Sequence, residues 1–263
     1  MKKYLFIFKS EIMSNLQYIT NIVIGFIGYF VILYIFFNLW QYIYSDPSEL
    51  INGYSMNQMI WYVIITEVIW SVLSGRKLCA RISEDVKAGN IAYNINKPYS
   101  YIGYCLSTHL GACTVRSAIY IFIGMVVGFM FLHSFPQLTL LNILAIFITY
   151  AFALVISILL ITSIGLISFF IEDSGPLYWL YSKFILVLGV IFPVEFFPIW
   201  LRGIIKYSPI YAVSYGPARL FVNFSWNNFI LVIISQVIYI IVSYMICSLL
   251  YKKGVKNLNV NGG

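Results

Sequence analysis

Charge is what this sequence has least of. Only 10% of its 263 residues are Asp, Glu, Lys or Arg, while 61% are hydrophobic and 19% aromatic; soluble domains carry roughly 25% charged residues. Sixteen Lys and Arg with nine Asp and Glu cannot cover a chain of this size with a water-facing surface, so most of its outside faces an apolar medium. Histidine is scarce too. His109 and His133 are the only two, and the span order below puts them toward opposite faces of a membrane, too few and too far apart for a His-based metal centre or a Ser-His-Asp triad. The four cysteines, Cys79, Cys105, Cys113 and Cys247, fall at membrane or cytoplasmic positions and read as free thiols, not as a disulfide framework. Seventeen Gly and eight Pro without a period exclude collagen-like or low-complexity chains. No G-x-x-x-x-G-K-[ST] loop occurs, so ATP binding in the P-loop manner is absent. The expectation is a chain that is not an enzyme, has no catalytic residue and no metal or cofactor of its own, and takes its energy from a partner or an ion gradient.

What is there is apolar sequence in long blocks. Residues 12–45, 117–171 and 220–251 hold no charge at all, over 34, 55 and 32 positions. A helix needs about 20 residues to cross a bilayer, so the 55-residue block holds two spans, broken where Pro136 follows His133, Ser134 and Phe135. The pattern predicts an all-α polytopic membrane protein forming one transmembrane domain over 1–263. Its six spans lie at about 20–40, 57–75, 103–132, 138–171, 177–205 and 228–250. Residues 1–17, which mix Lys, Glu, Ser and Asn with Tyr, Leu, Phe, Ile and Met, fit a helix lying in the membrane interface among lipid head groups. A signal peptide does not fit this basic start, because the following apolar stretch is too long and no small-residue cleavage pattern follows.

Thirteen of the sixteen basic residues fall on one side of this span order, in the N-terminus, the loop from Arg76 to Lys97, Arg116, Lys183 and the tail. Arg202, Lys206 and Arg219 fall on the other. The bias predicts cytoplasmic termini.

Three features stand out as sites. Glu67 is the one acid deep in a span, and an intramembrane carboxyl is by default a functional candidate. Counting inward at 1.5 Å per residue puts it about 10 Å from the depth of Arg116, too far for a pair. Arg116 is expected to snorkel to the interface. For Glu67, a cavity or subunit contact and a structural hydrogen bond to a neighbouring span both stay open. The second feature is the polar run 81–98 after span two. Ser83 is expected to cap a short helix with Glu84 and Asp85 in its first turn, and Gly89 to end it. With Arg81 and Lys87 this makes either a docking surface or a solvated loop. Third, span five reaches only from Leu177 to Phe192 before Pro193, and Pro198 follows five residues later. Two such prolines predict a broken, re-entrant helix with Glu195 at the outer membrane boundary. Nearby Arg202 and its basic neighbours read either as contacts to lipid phosphates or anionic groups, or as ordinary surface charge.

Taken together, the N-terminal interfacial helix, six spans, loop helix between spans two and three, and proline-broken fifth span resemble the permease subunits of type-2 ABC (ABC-2) exporters, most closely the small bacterial six-span group. The residues that carry the resemblance are Gly89, Ile91, Ile95 and Lys97-Pro98, similar to that group's Gly-x-Leu…Leu-x-x-Pro pattern, and the stretch Phe192-Pro193…Phe197-Pro198-Ile199-Trp200-Leu201…Ser208-Pro209…Tyr215-Gly216-Pro217-Ala218. The chain departs from the pattern at Asn90, Ala92 and Asn94.

The resemblance implies a permease of the bacterial cytoplasmic membrane, driven by a separate ATPase that binds ATP and Mg and docks on the 81–98 run. It also implies a second permease, identical or paralogous, that completes the pathway. A charge-poor, aromatic interior suits a hydrophobic or amphiphilic cargo such as a drug, peptide antibiotic or lipid, although aromatic residues also simply face membrane lipids. Nucleic acid has no place in this reading. Two other classes remain open: a proton-coupled carrier using Glu67, and a non-transporting membrane immunity or scaffold protein.

Overall fold

A computed structural model of the chain describes residues 2–17, 19–44, 46, 49–95 and 97–261. Asn96, inside the polar run, lies outside the described residues. Helices follow one another as α1 (Lys2–Gln17), α2 (Ile19–Ile43), α3 (Met56–Val72), α4 (Arg76–Lys87), α5 (Asn90–Ile95), α6 (Tyr101–Leu132), α7 (Leu140–Leu166), α8 (Gly175–Ile185), α9 (Ile199–Lys206), α10 (Gly216–Val222) and α11 (Trp226–Asn261).

The starts follow local chemistry. Ser55 caps α3 in a reciprocal box with Gln58, Ser100 caps α6 and Thr139 caps α7, each side chain accepting an amide of the first turn. His133 ends α6 in the left-handed conformation at φ 49°, three residues before Pro136, at the break expected from the sequence.

Among the described residues, five helical segments are long and apolar enough to cross a bilayer: Gly25–Ile43, Met56–Lys87, Tyr101–Leu132, Leu140–Phe169 and Trp226–Lys256. The expected fifth span is shorter. Its apolar helix runs only from Gly175 to Ile191, about 25 Å at 1.5 Å per residue.

α3 is the hub. It is buried on nearly every side, from Met59 to Ile64 and from Thr66 to Ile69, as a helix apolar all round must be. α2 and α11 have an opposite character and turn Ile35, Tyr42, Ile234, Ile241 and Leu249 outward, an apolar exterior suited to lipid. Close approach is made by small residues. A Cβ on Gly128 of α6 would stand 2.4 Å from the Trp61 ring of α3, so that crossing tolerates only glycine.

A second core gathers at the other end of the bundle from the Ser55 cap. Leu78, Ile82 and Val86 of α4 pack there with Ile91, Tyr101, Ile158, Leu159 and Leu166. The chain ends converge on the same end: Lys3 Nζ donates to the Pro98 carbonyl, Tyr251 stacks on Tyr101 at 5.7 Å, and Gly254 abuts Phe169. α1 runs along the first turns of α6, with Tyr4 at Gly103 and Phe8 at Gly111, and exposes Leu5, Phe6, Met13 and Leu16.

The expectation for α4 needs correction. Ser83 is not a cap: the helix begins at Arg76, seven residues earlier, and Ser83 is buried in its middle, accepting a hydrogen bond from Ser168 at 2.9 Å. Its apolar positions Leu78, Ile82 and Val86 recur every fourth residue, and burying that stripe on α7 outweighs the helix-starting preference of one serine. Gly89 does end the segment. It adopts φ 68° just beyond the last turn, and α5 follows.

Candidate functional site

Three places carry polar chemistry: a cavity between helices, the exposed face of α4 and α5, and a network beside Glu195.

The cavity has a volume of about 870 Å³ and is bounded by α2, α3, α4 and α8, with Tyr120 of α6 and Ser157 of α7 closing its back. Glu67 lines it and is 3% exposed. Among the described residues no hydrogen bond reaches its carboxylate. Tyr29 also lines the cavity and its ring meets Tyr120 edge-on at 5.3 Å, while its hydroxyl is buried and unpaired against Gly124 of α6. Arg116 does not approach Glu67. Its guanidinium donates to the carbonyls of Val72 and Ser74, both at 3.1 Å, closing the C-terminal end of α3. The guanidinium thus serves as a cap on the end of α3.

On α4, three of the six residues singled out by sequence point inward. Arg81 donates to Thr108 at 2.9 Å and lies 5.4 Å over the Tyr104 ring, Ser83 bonds Ser168, and Asp85 accepts from the Tyr101 hydroxyl at 2.8 Å. Glu84 and Lys87 face outward with Lys77, Ala80 and Ala88. Beyond Gly89 the exposed face continues through Ala92 and Tyr93, whose ring is 75% exposed.

Near the Ser55 cap, Glu195 is the centre of a network. Its Oε1 accepts from Arg219 at 2.7 Å and from the Tyr215 hydroxyl at 2.5 Å, while Oε2 accepts from Tyr54 at 3.1 Å. Burial raises the Tyr54 phenol above its ordinary acidity range, and the negative Glu195 adds to the shift while Arg219 opposes it. Arg202 takes a different partner, donating from Nε to the Phe197 carbonyl at 2.6 Å. Pro193 and Pro198 each stand just before a short helical segment, where a missing amide costs no bond. Sequence reading missed Tyr54 here, and missed Tyr215 and Arg219 as partners of Glu195. Their separation from Glu195 by 141, 20 and 24 residues left no local signal.

The backbone leading to this network is unusual. Leu186–Ile191 and Tyr211–Tyr215 are both wide π-helical turns, and they face each other. A π-turn frees carbonyls, and the neighbours satisfy them. Gly189 O accepts from Ser214 at 2.7 Å and from Tyr62 at 3.1 Å, and Val190 O accepts from Thr66 at 3.0 Å. Only glycine fits at 189, where a Cβ would meet Ile210 at 2.7 Å. Gln236 of α11 then donates to Thr149 O at 2.8 Å and Ala212 O at 2.9 Å, tying the second π-turn to α7.

An apolar helical exterior around a buried, partly polar interior, with an acid facing a cavity, defines a multi-pass membrane protein of the transport class. Over residues 27–262 the chain matches the model of the family described as ABC-2 family transporter proteins, and it belongs to that family. Membership makes it the membrane subunit of a transporter, an ABC permease whose class works with an ABC ATPase. Among curated proteins none matches the chain.

Proposed function

We propose that this chain is one half of an export pathway in the bacterial cytoplasmic membrane, completed by a second permease and driven by a separate ATPase that holds ATP and Mg. The cargo is hydrophobic or amphiphilic, entering from the cytoplasmic half of the bilayer or its surface.

The observation that carries the reading is the outward face of α4 and α5. Arg81, Ser83 and Asp85 fasten the segment to the bundle, leaving Glu84, Lys87 and Tyr93 free to meet a partner. A rigidly anchored, mixed-charge surface with one large exposed aromatic ring suits a protein partner better than bulk water. The basic residues support the orientation: α1, α4 and the tail of α11 gather at the same end of the bundle, and a concentration of Lys and Arg there marks the cytoplasmic side.

In this reading there are six spans. The fifth is α8 with its π-turn, short for the bilayer and completed by a re-entrant hairpin made of α9 and α10. The order of contacts on α11 supports a dip into the membrane: Gly216 lies at Val232, Ala212 at Gln236 and Tyr207 at Tyr239, so the chain deepens away from Trp226 by about 20 Å at 1.5 Å per residue. Glu195 and its tyrosines then sit at the outer rim, where their network holds the outer ends of α3, α8 and α10 together. Closure of the ATPase pair moves α4, and because α4 is welded to α7 and α8 the motion reaches this rim through rigid helices.

The test is purification of the full chain from its native cells in mild detergent. Vanadate-sensitive ATP hydrolysis that co-elutes with the chain, and loss of cargo export on ATP depletion, are expected. Export that continues without ATP and stops on Glu67→Gln would overturn the reading in favour of a proton-linked carrier.

A further inference from the structure

The cavity holds a carboxylate that no described residue answers with a hydrogen bond. Glu67 is 3% exposed, lines a space of about 870 Å³, and receives no hydrogen bond from any described residue. A charge in such a place is costly, and unanswered carboxylates in membrane interiors mark where a cation or proton is taken up. We propose that this cavity is a binding site for a lipophilic organic cation, with Glu67 as its counter-charge.

Size, shape and charge each support this. Ligand cavities for drug-sized molecules run from about 300 to 1,000 Å³, and this one lies in that range. Its wall carries aromatic residues, the buried Tyr29 and Tyr120 and the less buried Trp70 and Trp179. Such rings attract a desolvated cation through their electron-rich faces. The charged groups around the cavity are few. Arg76, Asp173 and Lys183 also line it; all three are exposed, and the Lys183 ammonium is engaged 5.8 Å from the Trp179 ring. Glu67 is the one buried charged side chain among the described residues that line it, so the enclosed part carries an acidic group. One wall has room to spare: a Cβ on Gly28 of α2 would meet nothing within 4 Å.

The inference deepens the export reading and rests on it, since it names the charge class of the cargo. Its test needs neither ATP nor the ATPase. The full chain in lipid nanodiscs is titrated with tetraphenylphosphonium, and in parallel with tetraphenylborate, an anion of nearly the same size. Saturable tetraphenylphosphonium binding is expected, with a change in tryptophan fluorescence that the double substitution Trp70→Phe and Trp179→Phe removes. Glu67→Gln should weaken that binding by about tenfold, equivalent to about 1.4 kcal/mol, and Glu67→Asp should retain most of it. Gly28→Leu, which fills the cavity and keeps the acid, should weaken it as well. Equal tetraphenylphosphonium binding by the wild type and by monodisperse Glu67→Gln protein, or a preference for tetraphenylborate, would overturn the proposal. If Glu67→Gln protein aggregates, Glu67→Asp and Gly28→Leu decide the matter. Loss of the charge dependence removes the cation site and leaves the exporter reading standing, whereas a cation site without ATP-driven export removes the exporter reading alone.

Discussion

The guanidinium of Arg219 meets the carboxylate of Glu195 at 2.7 Å, joining the short helix after the second π-turn to the loop between two prolines. Both side chains are partly exposed, at 32% and 23%, so the pair is neither free surface charge nor a fully buried ion pair. Tyr215 bridges them, its hydroxyl lying 2.5 Å from each partner. Glu195 is thereby committed to a structural contact at the place where sequence reading left lipid contact or surface charge open for its basic neighbours.

Because the two groups share one network, their removal should not be additive. A double-mutant cycle with Glu195→Gln and Arg219→Gln, followed by thermal unfolding in detergent, is expected to give a coupling energy of about 1–3 kcal/mol. Additive effects would mean that the ion pair contributes nothing to holding the rim together.

Charge reversal on α4 should separate docking from folding. Glu84→Lys with Lys87→Glu changes only exposed side chains, so the melting temperature should stay within a degree or two while ATPase association falls by about tenfold or more. Asp85→Asn should do the reverse. It weakens the bond from Tyr101 and lowers stability by about 1 kcal/mol. Retained ATPase association in the reversed variant would remove α4 as the docking surface.

Gln236 fastens α11 to both α7 and the second π-turn. Gln236→Leu leaves the Thr149 and Ala212 carbonyls without this donor, and a loss of about 1–3 kcal/mol is expected from melting in detergent. Gln236→Glu should be worse, since it removes the donor and adds a charge among helices.

Arg116 should behave as a helix cap. Arg116→Met removes two charge-assisted bonds to the end of α3 and is expected to cost about 1.5–3 kcal/mol, with Arg116→Lys recovering part of it. Hydrogen exchange at residues 69–74 should rise in Arg116→Met. Unchanged exchange there would favour the snorkelling role instead.

The helices were legible wherever the chain supplied its own punctuation. His133 with Pro136 stops a helix where the sequence broke the 55-residue block, whereas the caps at Ser55, Ser100 and Thr139 emerged only in the structure. α4 was legible in part. The fourfold repeat of Leu78, Ile82 and Val86 was present in the sequence, but the polar run after it drew attention to Ser83, whose hydroxyl in fact answers Ser168, 85 residues away. Tyr54 and Ser214 gave no signal and Tyr215 none beyond the family pattern, because an aromatic or hydroxyl residue in an apolar run looks the same whether it faces lipid or a partner.

Composition and the spacing of charge determined by themselves that this is a helical membrane protein, which end collects the basic residues, and that Glu67 has no nearby counter-ion along the chain. These follow from the cost of placing charge in hydrocarbon, which acts on every residue independently of its neighbours. Only the tertiary structure decided what the polar groups do. It turned Arg116 into a cap, closed Glu195 into a network with Arg219 and two tyrosines, opened two facing π-turns, and left Glu67 in front of a cavity. Those outcomes depend on which helix faces which. Helices clad in similar apolar residues are nearly interchangeable in sequence and become distinct only when packed.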